Sequence, residues 1–199
     1  MKKLYTVTLG ILVLLLMAAS ASAATTKELS NGAYASAEWD ITNDYGTLYA
    51  YIDAYDSSNY GTEAYVSVYG YDANGIWHDF WGYATIPDDA FKAKNINFAS
   101  LSEVTFNVYD YTTDSYRPVT IKADWTAVGG DKEVDKYSWK DKEGSYKAMG
   151  TYKDATATGS IIDFDGHELI GEETSDYGFI ETYKSMYMEK NVRTQQTPA

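Results

Sequence analysis

Apolar and polar residues alternate with a period of two along most of the chain, which predicts half-buried β-strands. The alternation is clear from residue 33, where one side of a first strand carries Ala33, Ala35, Ala37, Trp39 and Ile41 and the other carries Tyr34, Ser36, Glu38 and Asp40. Three further strands are predicted over 47–56, 64–71 and 76–85. Turn-forming clusters at 43–46, 57–61 and 72–75 separate them, and Asn74-Gly75 is a strong hairpin signal.

Tyrosines gather on one side of the second and third predicted strands. Because neighbouring strands keep like faces together, we expect these rows to lie side by side. The rows consist of Tyr49, Tyr51, Tyr55, Tyr65, Tyr69 and Tyr71. If Tyr71 pairs with Trp77, then Trp77, Trp81 and Tyr83 join the same face. A slip of one residue would replace them with His78 and Phe80.

The second half of the chain predicts more strands and one long exposed loop. A regular hairpin joins 104–109 to 119–127 and places Trp125 in the core. Segment 87–92 begins with Pro and Asp residues, which favours a single helical turn. The mixed charges of 131–144 follow neither period and indicate a loop. Strand patterns return over 146–162 and 177–188.

These elements predict an all-β, antiparallel fold of about ten strands, with minimal helix apart from an N-terminal signal peptide. A β-sandwich is the first expectation, because the small residues on several faces suit closely packed sheets. A closed or flattened β-barrel is the alternative.

The first residues have the order of a secretory signal peptide. Lys2 and Lys3 precede the apolar run Leu9–Ala19, and the triplet Ala21-Ser22-Ala23 predicts cleavage after residue 23. An uncleaved anchor is the alternative, but the run is short against the ~20 residues that span a bilayer. We therefore predict a signal peptide over 1–23, one β-sandwich domain over 24–190 and a polar tail over 191–199. Sec-type export to the cell exterior follows from this interpretation.

The charge and composition narrow the classes of partner. The formal net charge is −13, and the 176 residues left after removing the first 23 would carry −15. Such an acidic protein disfavours nucleic acid and anionic membrane surfaces as partners. The absence of cysteine excludes disulfides, and together with the absence of an N-x-S/T sequon it favours a prokaryotic secreted protein.

The candidate chemistry is sparse. The two histidines, His78 and His167, each lie near a turn, where an exposed histidine carries little information, and neither has a relay partner at a recognisable spacing. Paired carboxylates drawn from acids such as Glu38, Asp53, Asp79 and Asp110 would suit a secreted polysaccharide hydrolase. Asp163, Asp165 and Glu168 match a calcium loop in part, although an ordinary Asp-Gly turn explains them equally. We assign no catalytic residue, metal or cofactor.

The aromatic side is the main functional candidate. Rings on a flat sheet can stack on sugars, while hydroxyls and Asp53 can bind sugar hydroxyls. The alternatives are self-association and packing beneath another sheet. We predict a secreted, non-enzymatic extracellular or cell-surface module that binds carbohydrate or self-associates, with the hydrolase as alternative. The predicted ligand-binding residues are Tyr49, Tyr51, Tyr55, Tyr65, Tyr69, Tyr71, Trp77 and Trp81.

Overall fold

The computed structural model describes residues 25–171 and 173–190. The predicted signal peptide and C-terminal tail lie outside this range. The described residues form eleven β-strands: β1 Thr25–Asn43, β2 Gly46–Ser57, β3 Gly61–Tyr71, β4 Trp77–Ile86, β5 Phe91–Asn95, β6 Phe98–Asp110, β7 Ser115–Ala127, β8 Glu133–Lys140, β9 Gly144–Ile162, β10 Glu168–Ile170 and β11 Tyr177–Lys190. The described residues contain no helix, and therefore no helix that is long and apolar enough to cross a membrane.

The strands pair into one antiparallel sheet that closes on itself, as the sequence predicts for a β-sandwich or flattened barrel. The order is β10-β9-β11-β1-β2-β3-β4-β6-β5, and β7 joins β6 to β9 and so completes the ring. The β7–β9 contact is continuous, from Thr120 opposite Ile162 to Ala127 opposite Ala155. β8 pairs with β9 outside this ring.

The chain falls into two compact units. The larger comprises Ser30–Asp135 and Met149–Lys184. In it, the inward side chains of each strand form one core, as the alternation predicts. Its largest fully buried side chains include Trp39, Leu48, Ile52, Val66, Val68, Phe80, Phe91, Ile121, Trp125, Ile161 and Ile180. The predicted core position of Trp125 is confirmed, and its ring meets Phe91 edge to face at 6.2 Å between centroids.

The smaller unit contains Lys136–Ala148 together with the described residues up to Leu29 and from Ser185 onward. Its aromatic contacts join Trp139 to Tyr187, with ring centroids 6.2 Å apart, and Tyr137 to Tyr146, at 6.0 Å. Gly144 permits a close approach here, because a Cβ at this position would lie 2.7 Å from the Met188 carbonyl oxygen.

One local prediction is wrong, and another holds only in part. The segment expected to be a loop contains strand β8, in which every side chain is exposed. A strand that buries neither face has no reason to alternate, so its sequence lacks the period-two signal. The helical turn expected over 87–92 is shorter: the Ala90 amide donates to the Pro87 carbonyl at 2.8 Å, and Phe91 and Lys92 already belong to β5.

Candidate functional site

Hairpin register decides which aromatic side chains share a face. Tyr71 lies opposite Trp77, and Ser67 lies opposite Trp81. The first of the two registers considered from the sequence is therefore present: the two tryptophans point outward, while His78 and Phe80 are buried. We call the outward aromatic side chains of β2, β3 and β4 the aromatic face: Tyr49, Tyr51, Tyr55, Tyr65, Tyr69, Tyr71, Trp77, Trp81 and Tyr83.

The structure brings most of the predicted ligand-binding residues together. Tyr49 and Tyr69 are direct cross-strand partners and are 47% and 53% exposed. Tyr51 and Tyr65 are half-buried, with ring centroids 5.8 Å apart. Tyr55 is the exception, because it lies six residues along β2 from Tyr49, a separation of about 20 Å.

One end of the aromatic face is a compact stack. The Trp77 ring meets both Tyr69 and Tyr71 edge to face, with centroids 4.8 Å apart in each pair. This geometry suits the ring quadrupoles and holds the rings in fixed orientations while one surface of the stack stays exposed. The stack can therefore present a rigid apolar surface to a ligand.

The aromatic face continues onto β6 and β7, which the sequence analysis did not include. The indole nitrogen of Trp81 donates to the Tyr111 hydroxyl at 2.9 Å, and Tyr109 pairs with both Trp81 and Tyr116 across the strands. These rings surround a depression of about 730 Å³ whose other lining residues include Tyr83 and Asn107. The alternation along β6 places Tyr109 on the side opposite the buried Val108. The missing information was that β6, and not β5, lies beside β4.

A second, smaller depression lies between β2 and β3. Its volume is about 380 Å³, and it is lined by Glu38, Tyr49, Ala50, Tyr51, Tyr65, Ser67 and Tyr69. We call the four tyrosines around it the tyrosine cage. Ser67 lies opposite Tyr51 and between two outward tyrosines of its own strand, so its small side chain leaves the gap.

The charge around the aromatic face is of one sign. No Lys or Arg occurs between Lys27 and Lys92, a segment that includes all of β2, β3 and β4. The outward positions here do include carboxylates: Glu38, Asp40, Asp53, Glu63 and Asp79. The face therefore offers hydrogen-bond acceptors and negative charge without a basic group to bind an anion.

A hydrogen-bonded cluster joins β1 to β2 beside the tyrosine cage. The Tyr34 hydroxyl lies 2.8 Å from that of Tyr51 and donates to Asp53 at 3.1 Å. Burial raises the pKa of the Asp53 carboxyl above the usual 3.8, although the hydrogen bonds from both tyrosines act in the opposite direction. Burial also raises the pKa of both tyrosines, so their hydroxyls remain protonated and able to donate.

The raised pKa of Asp53 has a definite consequence for stability. A carboxyl whose pKa is higher in the folded state contributes stability that is complete below its unfolded value and is lost as the pH rises through the folded value. In Asp53→Asn the amide oxygen can still accept from Tyr34, but the titration is gone. We expect wild type to gain stability relative to this variant between about pH 7 and about pH 4, measured by urea unfolding. A difference that is constant or moves in the opposite direction would show that this carboxyl is not destabilised by burial.

Both histidines converge on one buried carboxylate, which the sequence analysis missed. The Asp163 Oδ2 atom lies 3.3 Å from Nδ1 of His167 and 3.9 Å from Nδ1 of His78. On the other side of the His78 ring, the Nε2 atom lies 3.4 Å from Oδ2 of Asp72. The interpretation of both histidines as exposed is wrong for His78, which is 3% exposed because the β3–β4 register turns it inward. Neither the Nε2 atom of His78 nor the Oδ2 atom of Asp163 makes a hydrogen bond of good geometry with any protein group.

The acids of the partial calcium loop contact groups of the protein itself. Asp163 Oδ1 accepts from the amides of Asp165 and His167 at 2.8 Å each. Asp165 pairs with Arg117 at 2.9 Å, and Glu168 accepts from Ser160 at 3.0 Å. Within the described ranges, no three His, Cys, Asp or Glu side chains are placed to hold a metal ion. This arrangement is the ordinary Asp-Gly turn that the sequence analysis gave as the other explanation.

Asp110, one of the acids considered for hydrolysis, is buried away from the aromatic face. It is 1% exposed and accepts from the hydroxyls of Thr112 and Thr113 at 2.6 and 2.5 Å. Burial acts to raise the pKa of this carboxyl, but these bonds and the nearby Arg117 outweigh it and lower the pKa. Asp110 therefore stabilises the β6–β7 turn and is not accessible to a polysaccharide.

Comparison with family models, with curated proteins and with solved structures finds no match to this chain.

Proposed function

We propose that this protein is a secreted, non-enzymatic module that binds a neutral polysaccharide across the aromatic face. The observation that carries the proposal is a run of exposed rings joining two depressions, neither of which is lined by a Lys or Arg. Tyr65 of the smaller depression and Trp81 of the larger have ring centroids 6.4 Å apart. Rings spaced along a sheet can stack on successive sugars of one chain, and nearby carboxylates can accept from sugar hydroxyls.

The charge of the face favours a neutral ligand over an anionic polymer or a second copy of the chain. An anionic polymer would meet Asp79 and Glu38 with no Lys or Arg on β2, β3 or β4 to compensate. Two aromatic faces docked together would bring the same carboxylates into opposition, and like charges across an interface cost several kcal/mol. A neutral polysaccharide avoids both penalties.

Affinity electrophoresis against a panel of neutral polysaccharides, with polygalacturonate as the anionic control, tests the proposal. We expect retardation by at least one neutral polymer, none by polygalacturonate and no release of reducing ends on prolonged incubation. Released reducing ends would favour the hydrolase. A stable oligomer in light scattering, with no retardation by any polymer, would favour self-association and contradict the proposal.

A further inference from the structure

We propose that the tyrosine cage binds an organic ammonium ion. The depression between β2 and β3 is also part of the proposed polysaccharide surface, but this inference does not depend on polysaccharide binding, because it concerns a different kind of ligand. Its basis is the combination of four tyrosine rings, a carboxylate at the rim and a volume of about 380 Å³. Aromatic rings attract cations through the negative potential of their faces, and cages of several rings recognise alkylated ammonium groups.

Strand register builds the cage from both sides. Tyr49 lies directly opposite Tyr69, while Tyr51 and Tyr65 meet edge to face across the same pair of strands. Ser67 lies between Tyr65 and Tyr69 on the outward side of β3, so the four rings surround a space that a larger side chain would fill. The cage is therefore formed by the folded sheet before any ligand binds, which reduces the ordering cost of binding.

The surrounding charge selects a cation over a neutral apolar group. Glu38 lines the depression and lies opposite Tyr51 on the neighbouring strand. Asp40 lies opposite Tyr49, and Asp79 lies opposite Tyr69 on the far side. Carboxylates thus flank the cage on both sides, and the chain from 28 to 91 has no Lys or Arg that would neutralise them.

An organic cation fits this chemistry better than a metal ion. The lining residues are mainly tyrosines with a single carboxylate, Glu38, whereas metal ions need several oxygen, nitrogen or sulfur ligands. A depression of about 380 Å³ also accommodates a trimethylammonium group with part of its carrier. The ammonium group could belong to a free quaternary amine or to an amino sugar within a polymer.

Isothermal titration calorimetry with choline tests the proposal. The matched control ligand is the neutral isostere of choline, in which a tert-butyl group replaces the trimethylammonium group. We expect choline to bind at least about tenfold more tightly than the isostere. A glucosamine oligomer and its N-acetylated counterpart form a second pair that shows whether a polymer can supply the ammonium group. If neither cation binds more tightly than its neutral counterpart, the proposal is wrong.

Three variants locate the site. Ser67→Phe should abolish choline binding by filling the cage, and Glu38→Gln should weaken it at least about threefold through loss of the rim charge. Glu63→Gln removes an outward carboxylate from the same strand as Ser67, opposite Tyr55, and should leave binding unchanged. Equal affinity in all three variants would overturn the assignment to the cage. Choline binding without binding of any neutral polysaccharide would contradict the proposed function alone, and the reverse result would contradict this inference alone.

Discussion

Replacing Gly70 with alanine is expected to lower the free energy of unfolding by about 4 kcal/mol, or to prevent folding altogether. Two separate effects combine at this position. Gly70 has a φ of 124°, a conformation that residues with a side chain rarely adopt. A Cβ would also overlap the Thr47 carbonyl oxygen and lie 3.1 Å from the Leu48 Cα, both in the backbone of the neighbouring strand.

Gly130 provides the matched control for this substitution. Its φ is also 124°, but a Cβ there would meet no atom within 4 Å. Gly130→Ala should therefore report the conformational strain alone, about 1 kcal/mol, and the excess loss in Gly70→Ala should report the overlap with β2. Urea unfolding of the two variants measures both effects. Equal losses would mean that the strands can separate enough to accept the methyl group.

Replacing His78 with phenylalanine is expected to lower the free energy of unfolding by about 3 kcal/mol. The imidazole lies between two carboxylates that are each 5% exposed, Asp72 and Asp163. Asp72 also accepts from the amides of Asn74 and Ile76, so the turn keeps some stabilisation in the variant. Asp163 keeps the two turn amides and His167, but its Oδ2 atom would face an apolar ring in place of the imidazole, and removing a polar neighbour from a buried carboxylate is destabilising.

A double-mutant cycle separates this electrostatic effect from a packing effect. Asp163→Asn keeps an oxygen able to accept from the amides of the turn but removes the negative charge. We expect the double variant His78→Phe and Asp163→Asn to be more stable than the sum of the single losses implies, by at least about 1 kcal/mol. If the losses add, His78 contributes only through its shape and the cluster has no electrostatic role.

The local pattern of apolar and polar residues was sufficient to predict the strands that carry the aromatic face. Each of β2, β3 and β4 buries one side, so its alternation is visible, and the short turns fix the register once a pair such as Tyr71 and Trp77 is chosen. The same reasoning located Trp125 in the core. The same pattern could not identify strand β8, because neither of its faces is buried.

Contacts between distant segments could not be read from the sequence. The convergence of His78 and His167 on Asp163 requires the turn after β9 to reach the start of β4, and no local pattern encodes that approach. The extension of the aromatic face onto Tyr109, Tyr111 and Tyr116 likewise depends on the pairing of β4 with β6, which involves only two residue pairs. Local alternation shows which side of a strand is exposed, but not which strand lies beside it.

The most direct test of the central claim is calorimetric titration of the Trp81→Ala variant with a neutral oligosaccharide that the wild-type protein binds. Trp81 is 41% exposed at the junction of the two depressions, and truncation of a central tryptophan should weaken binding at least about thirtyfold. Trp139→Ala is the matched control, since Trp139 has a similar exposure of 36% but lies in the smaller unit. We expect Trp139→Ala to bind like wild type. Unchanged affinity in Trp81→Ala would contradict the assignment of the aromatic face as the polysaccharide-binding surface.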